Sequence, residues 1–227
     1  MKSDQLWAVT SDFNPLKYRT KRDNDRIFRR NLSVPLITVE LVDEDQPELG
    51  PDDAEILIQL RGCDVMWQKE RMMNIAINAL PQDCRKVAWL DCDIVFQRSD
   101  WHLAAAVALE GVRLVQLFQY RVDVEQNAPI ESVDWSRTTL RGSAFRIQSG
   151  SMMPELLTST SGPSEKWRCA TGLAWAGWRD TLAERGLYDA RILGGGDRAI
   201  TCAAWGMMDG FPLLEQMNSR QCEHYFS

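Results

Sequence analysis

The run Val87-Ala-Trp-Leu90 is apolar at every position and ends at Asp91. A strand with one wet face alternates apolar and polar residues. An unbroken apolar run therefore predicts a strand covered on both faces, as in a parallel sheet packed between helices. The flanking sequence agrees. Leu6–Thr10, Leu36–Val42 and Ile56–Leu60 are earlier β-rich runs and Arg113–Phe118 is a later one, with helical periodicity between them. From about Lys21 to Leu32, the residues Ile27, Phe28 and Leu32 are spaced for one buried stripe, and Pro35 stops the helix. Trp67–Leu80 reads as a second helix ended by Pro81, and Asp100 is placed to N-cap a third over Trp101–Glu110. This β-α-β-α rhythm predicts an α/β fold with an open, mostly parallel sheet. Ligands of such sheets bind beyond the carboxyl ends of the strands, which is where Val87–Leu90 runs into Asp91.

The second half is less regular. From Arg121 to Lys166 loop residues dominate, and the pattern predicts a surface excursion with a strand near Ala144–Ile147. Periodicity returns at Gly172–Ala176, then in a helix near Trp178–Arg185 closed by Gly186, then in a helix opening at Asp197.

Composition narrows the function classes. In 227 residues, 44% hydrophobic and 26% charged, the chain has the make-up of one globular domain, which removes disordered and fibrous classes. A formal charge of -6 argues against a nucleic-acid partner, so an anionic ligand would need a bound cation or a local arginine. There is no 18-residue apolar span, and Met1-Lys-Ser-Asp-Gln-Leu-Trp7 lacks a signal-peptide layout. The expectation is a cytoplasmic protein without a transmembrane segment, its six cysteines reduced because no export signal is evident and no C-x-x-C pair or tight framework is present. With only His102 and His224 available, a multi-histidine zinc site is not expected. Asp43–Asp53 carries six acids and no base, and reads as a solvated loop.

Two segments carry chemistry. Residues i and i+2 of an extended chain point the same way, so Asp91 and Asp93 can face one ligand. Paired carboxylates repel unless a cation lies between them, and oxygen-only ligation favours Mg²⁺ or Mn²⁺. The alternative is a pair of acids that merely opens a loop. The second segment is Gly194-Gly-Gly-Asp197, whose glycines permit positive φ and close approach of another molecule. Asp197 could accept a proton from a hydroxyl, or cap the helix it opens, and both readings stay open. On the helix before the apolar strand, Arg71 and Asn74 share a face, whereas Lys69 and Asn74 do not. For Lys69 a ligand role and a solvated charge remain alternatives. Trp175 is a candidate stacking surface, although core packing suits most of the nine tryptophans.

Trp67-Gln-Lys-Glu-Arg-Met-Met-Asn-Ile-Ala-Ile-Asn78 followed by Val87-Ala-Trp-Leu-Asp-Cys-Asp-Ile-Val-Phe96 resembles the core of GT-A-type nucleotide-sugar glycosyltransferases. Gly172, Trp175, Leu187-Tyr-Asp189 and Gly194-Gly-Gly-Asp197 resemble the later conserved segment of galactosyltransferase-like and polypeptide N-acetylgalactosaminyltransferase-like enzymes. The resemblance implies a single GT-A-like domain over 1–227, with a nucleotide-sugar-binding half (1–120) and an acceptor-side half (121–227). It implies a hexosyltransferase-like activity that uses Mn²⁺ or Mg²⁺ at Asp91 and Asp93. A nucleotide-sugar donor, of UDP type, would contact Thr10, Asn14, Arg71, Asn74 and Asp91. A glycan or other hydroxyl acceptor would lie near Trp175, Gly195, Gly196 and Asp197, with Asp197 catalytic. Two departures stand out. Gly-Gly-Gly-Asp-Arg replaces the Gly-Gly-Glu-Asp of those enzymes, and the downstream segment that returns a histidine to the cation is not evident. The last residues read as the start of a further helix, so a C-terminally truncated catalytic unit is expected. Asp91-Cys-Asp-Ile-Val also resembles the motif of haloacid-dehalogenase-like phosphatases, which normally lies on the first strand. A non-catalytic sugar-nucleotide-binding protein is the non-enzyme alternative.

Overall fold

The computed structural model describes residues 6–43, 46–62, 66, 68–126, 128–157, 169–191, 194–209, 214 and 217–227. A six-stranded sheet runs β3-β2-β1-β4-β8-β5. Its strands are β1 (Leu6–Asp12), β2 (Leu36–Leu41), β3 (Ile56–Leu60), β4 (Lys86–Leu90), β5 (Leu114–Gln116) and β8 (Ala174–Trp178). β1 pairs in parallel with β2 and with β4, and β2 with β3, while β4 and β8 are antiparallel. The sheet is thus α/β, mostly parallel and mixed. The chain winds outward from β1 to β3 and then returns to the other side of β1 as β4. That reversal places a topological switch point between β1 and β4, at their carboxyl ends.

Every residue of β2 and β4 is buried. Helix α2 (Lys69–Asn78) packs on β1 and β2 through Met72, Met73, Ala76 and Ile77. Trp67, expected to open this helix, lies outside the described residues. Helix α1 (Arg19–Asn31) starts two residues earlier than its apolar spacing predicts and buries Phe28. β4 also starts earlier, at Lys86, a residue that no apolar pattern would place in a buried strand. Its ammonium is stabilised there by the Glu110 carboxylate and the Ala106 carbonyl, and it lies 4.9 Å from the Trp178 ring centroid.

Three expectations change. Ala144–Ile147 is not a strand but the body of helix α4 (Ser143–Gln148), in which Gln116 Oε1 accepts the Ala144 N–H at 2.9 Å and so anchors the first turn. Asp100 stands at the N-cap position of α3 (Trp101–Ala108) without capping, because its carboxylate is bonded to Arg98 instead. Trp178 is the last residue of strand β8 and only α5 (Arg179–Arg185) is helical after it, closed by Gly186 at φ 71°.

The chain forms two compact units: Met1–Val115 with Leu173–Gly196 and Ser227, and Gln116–Gly172 with Asp197–Phe226. The first contains α1, α2, β1–β4 and β8. The second contains a two-stranded ladder of β6 (Tyr120–Arg121) and β7 (Leu140–Arg141), helix α4, most of α6 (Gly196–Ala204) and α7 (Ser219–Phe226). Tyr225 of α7 is buried and donates to Ala199 O at 2.8 Å, which ties α7 to α6. Among the described residues no helix is long and apolar enough to cross a membrane.

Candidate functional site

Asp91 follows the last residue of β4, and its backbone is held from two sides. Thr10 Oγ1 of β1 donates to Leu90 O at 2.7 Å, and the Asp91 N–H donates to Leu173 O at 2.8 Å. Leu173 adopts φ 73°, a costly conformation for a branched residue, which presents that carbonyl just before β8. The Asp91 carboxylate then meets Lys69, the first residue of α2, with Nζ 2.6 Å from Oδ1. Asp93 is exposed. Two carboxylates, one half-buried and one exposed, suit a hard divalent cation that keeps several waters. The Lys69 ammonium already balances one oxygen of Asp91.

Cys92, between the two acids, belongs to a different cluster. Lys21 of α1 donates to Cys92 Sγ at 3.2 Å, pairs closely with Asp12 at the end of β1, and lies 3.7 Å from Asp25. Among the described residues, Asp12, Asp25 and Cys92 are the group whose ligand atoms lie close enough to share a metal ion. Lys21 provides that group with a positive charge of its own. Burial opposes the charge on Lys21, but its acidic neighbours, Asp12 and Asp25, outweigh it and raise its pKa. Burial, then the neighbouring Asp12, push Asp25 up to about 7, against the pull of Lys21. Burial, followed by the Asp25 charge, raises the Cys92 thiol. The cluster acts as an internal fastener between α1, β1 and the acidic loop at Asp91–Asp93. No sequence spacing announces it, because its members come from three separate elements.

The other expected donor contacts are occupied. Thr10 is 2% exposed and spends its hydroxyl on Leu90. Asn14 is buried and closes its own loop: Nδ2 donates to Tyr18 O and Glu48 Oε2, and Oδ1 accepts from the Tyr18 N–H. Asn74 forms two bonds with the Leu187 backbone, giving to its carbonyl at 2.8 Å and receiving its N–H at 2.7 Å. Arg71 pairs with Asp189 at 3.2 Å and is itself largely exposed. Thus Thr10, Asn14 and Asn74 act in the framework here, not as groups presented to a ligand. Beyond the carboxyl ends of β1 and β2 lies a small open hollow, with space for about one water, bordered by Asp12, Asn14, Lys17, Glu40, Asp43 and Glu48.

Gly194 and Gly195 adopt φ 86° and 87°, as the triple glycine requires, and the Arg191 guanidinium packs against Gly195. Gly196 begins α6 and faces the buried carboxylate of Glu70, so closely that a Cβ would collide with it. Glu70 is a site neighbour that the sequence did not single out, being one charge among several on α2. Asp197 lies one residue inside α6, not ahead of it, which does not match the capping position. Its carboxylate rests on Gly172 with no room for a side chain there, and its carbonyl accepts the Thr201 hydroxyl at 2.8 Å. Trp175 is 4% exposed and stacked on Trp89, with centroids 6.2 Å apart and planes 8° off parallel. It is a core residue, which overturns its expected role against an acceptor. His224, in α7, is exposed.

No family model matches the sequence, and no curated protein does. Solved structures do share its shape. TarS 1-349 of S. aureus superimposes with a TM-score of 0.51 at 13% identity, over 88% of this chain and 55% of that one. The chain therefore spans about half of that TarS fragment. Glucosyl-3-phosphoglycerate synthase from Mycobacterium tuberculosis, in complex with Mn²⁺, uridine-diphosphate and phosphoglyceric acid, gives 0.49 at 14% identity over 91% of this chain and 66% of that one. The 4-diphosphocytidyl-2C-methyl-D-erythritol synthase of Anaerococcus prevotii gives 0.49 at 11% identity over 89% and 82%. Identities this low speak to the fold and nothing finer. With its strand order and mixed sheet, the chain has the α/β architecture of the GT-A type.

Proposed function

We propose that this chain is a metal-dependent glycosyltransferase, moving a hexose from a UDP-type donor to a hydroxyl acceptor. The observation that carries the proposal is the position of Asp91 and Asp93, at the carboxyl end of β4 beside the switch point of a GT-A-type sheet. Nucleotide-sugar glycosyltransferases are built on this fold, an analogy at the level of architecture. In this reading Asp91 and Asp93 hold Mn²⁺ or Mg²⁺, which when bound would neutralise charge on the departing diphosphate. The bond from the anomeric carbon to the diphosphate breaks and a bond to the acceptor oxygen forms. In this reading Asp197 takes the acceptor proton. Of the three glycines before it, Gly194 alone has open space beside its backbone. The phosphatase alternative fits less well, since Asp91 follows the fourth strand in chain order and not the first.

The test is a thermal unfolding series with UDP, with and without Mn²⁺. UDP at 100 times its Kd should add about 2.7 kcal/mol with Mn²⁺ present, and little in EDTA. Asp93→Ala should remove that increment and leave the unliganded melting temperature in place. Equal stabilisation in EDTA would overturn the proposal.

A further inference from the structure

Building on the reading of Asp91 and Asp93 as the cation site, we infer that Lys69 is a built-in competitor for it, occupying Asp91 until a nucleoside diphosphate draws the ammonium away. The pair is short, 2.6 Å, and its side chains are only 11% and 25% exposed, so water weakens it less than it would a surface ion pair. Neither backbone yields easily. Asp91 is bonded to Leu173 O, and the end of β4 is tied to β1 through Thr10. Helix α2, which carries Lys69, is buried along Met72, Met73, Ala76 and Ile77 and clasped to Leu187 by Asn74. What can move is the four-carbon stem of Lys69. A divalent cation arriving alone meets a carboxylate that already has a counter-ion, and the same Lys69 ammonium repels it. A diphosphate reverses both disadvantages, because its oxygens accept the ammonium and also complete the coordination of the cation. Cation and diphosphate then bind cooperatively, each tightening the other by the same factor.

The experiment measures Mn²⁺ binding to the full chain by electron paramagnetic resonance, with and without UDP. It compares wild type, Lys69→Met, Lys69→Gln and Asp93→Ala. Methionine keeps the length of the apolar stem, glutamine keeps a neutral donor, and a melting curve for each shows which is folded. Both Lys69 variants should bind Mn²⁺ alone about tenfold more tightly than wild type, and UDP should tighten Mn²⁺ by a factor about tenfold smaller in them. If the folded variants bind Mn²⁺ alone no better than wild type while UDP still enhances it, Lys69 is not the competitor and the cation site stands. If no form binds Mn²⁺ even with UDP, or Asp93→Ala binds it unchanged, the competitor and the site fall together.

Discussion

Asp25 shows what a buried acid beside another acid costs. Its carboxyl is raised from 3.8 to about 7, so the folded protein binds a proton that the unfolded chain has released across that interval. Stability from this group is therefore complete below pH 4 and declines as pH rises toward 7. Asp25→Asn should flatten that decline and stabilise the protein at pH 8 by about 1–3 kcal/mol, measured by urea unfolding at several pH values. A steeper decline in the variant would show that Asp25 is instead needed as an anion for Lys21. Asp197 poses the opposite question, one of chemistry. Asp197→Asn keeps an oxygen but cannot take a proton, so transfer should slow by about 10²–10⁴-fold while UDP binding survives. Turnover at the wild-type rate would leave Asp197 a structural residue. Asp91, Asp93 and Asp197 stand out in the sequence because each sits at or just after the end of an apolar run or a glycine run, and the roles proposed for them rest on the tests above. Lys69, Glu70 and the Lys21 cluster were not, since their meaning depends on partners distant in the chain. Thr10, Asn14 and Asn74 were misjudged for the same reason: hydrogen bonds to Leu90, Tyr18, Glu48 and Leu187 absorb them, and no local pattern foretells these.

Among the elements, those whose apolar pattern meets one partner face were read closely. β2, β3, β4 and α2 lie within a few residues of expectation. Helix α4 was missed because Phe145 and Ile147 look like strand residues, and what decides is Gln116, which receives the Ala144 N–H and donates to Ala170 O. The direction of β8 could not be read from Ala-Trp-Ala-Gly-Trp, since an apolar run pairs either way and only register tells them apart. The start of α6 allows a sharp test. Replacing glycine by alanine in an exposed helix gains about 1 kcal/mol. Here the added methyl would enter the buried Glu70 carboxylate, and overpacking costs about 1–3 kcal/mol. Gly196→Ala should thus destabilise, read as a lower denaturation midpoint, and a rise would show that Glu70 yields freely.

In the whole molecule, the first compact unit draws, besides Ser227, on two stretches of chain, one ending at Val115 and the other starting at Leu173. β4 has both long edges bonded, to β1 on one side and to β8 on the other, and the Asp91 N–H is bonded to Leu173. The strand that seals that second edge is encoded some 80 residues after β4 itself. At about 5–20 residues per second, a nascent chain waits roughly 4–16 s between releasing β4 and releasing its cover. During that interval a fully buried strand of the finished protein offers an open row of amides and carbonyls to any neighbour on the same message. The acidic loop, whose geometry the proposed chemistry depends on, gains its last backbone tether only when the wait is over. Newly made protein is thus exposed to aggregation at the same strand end that the finished protein would use to grip its ligand.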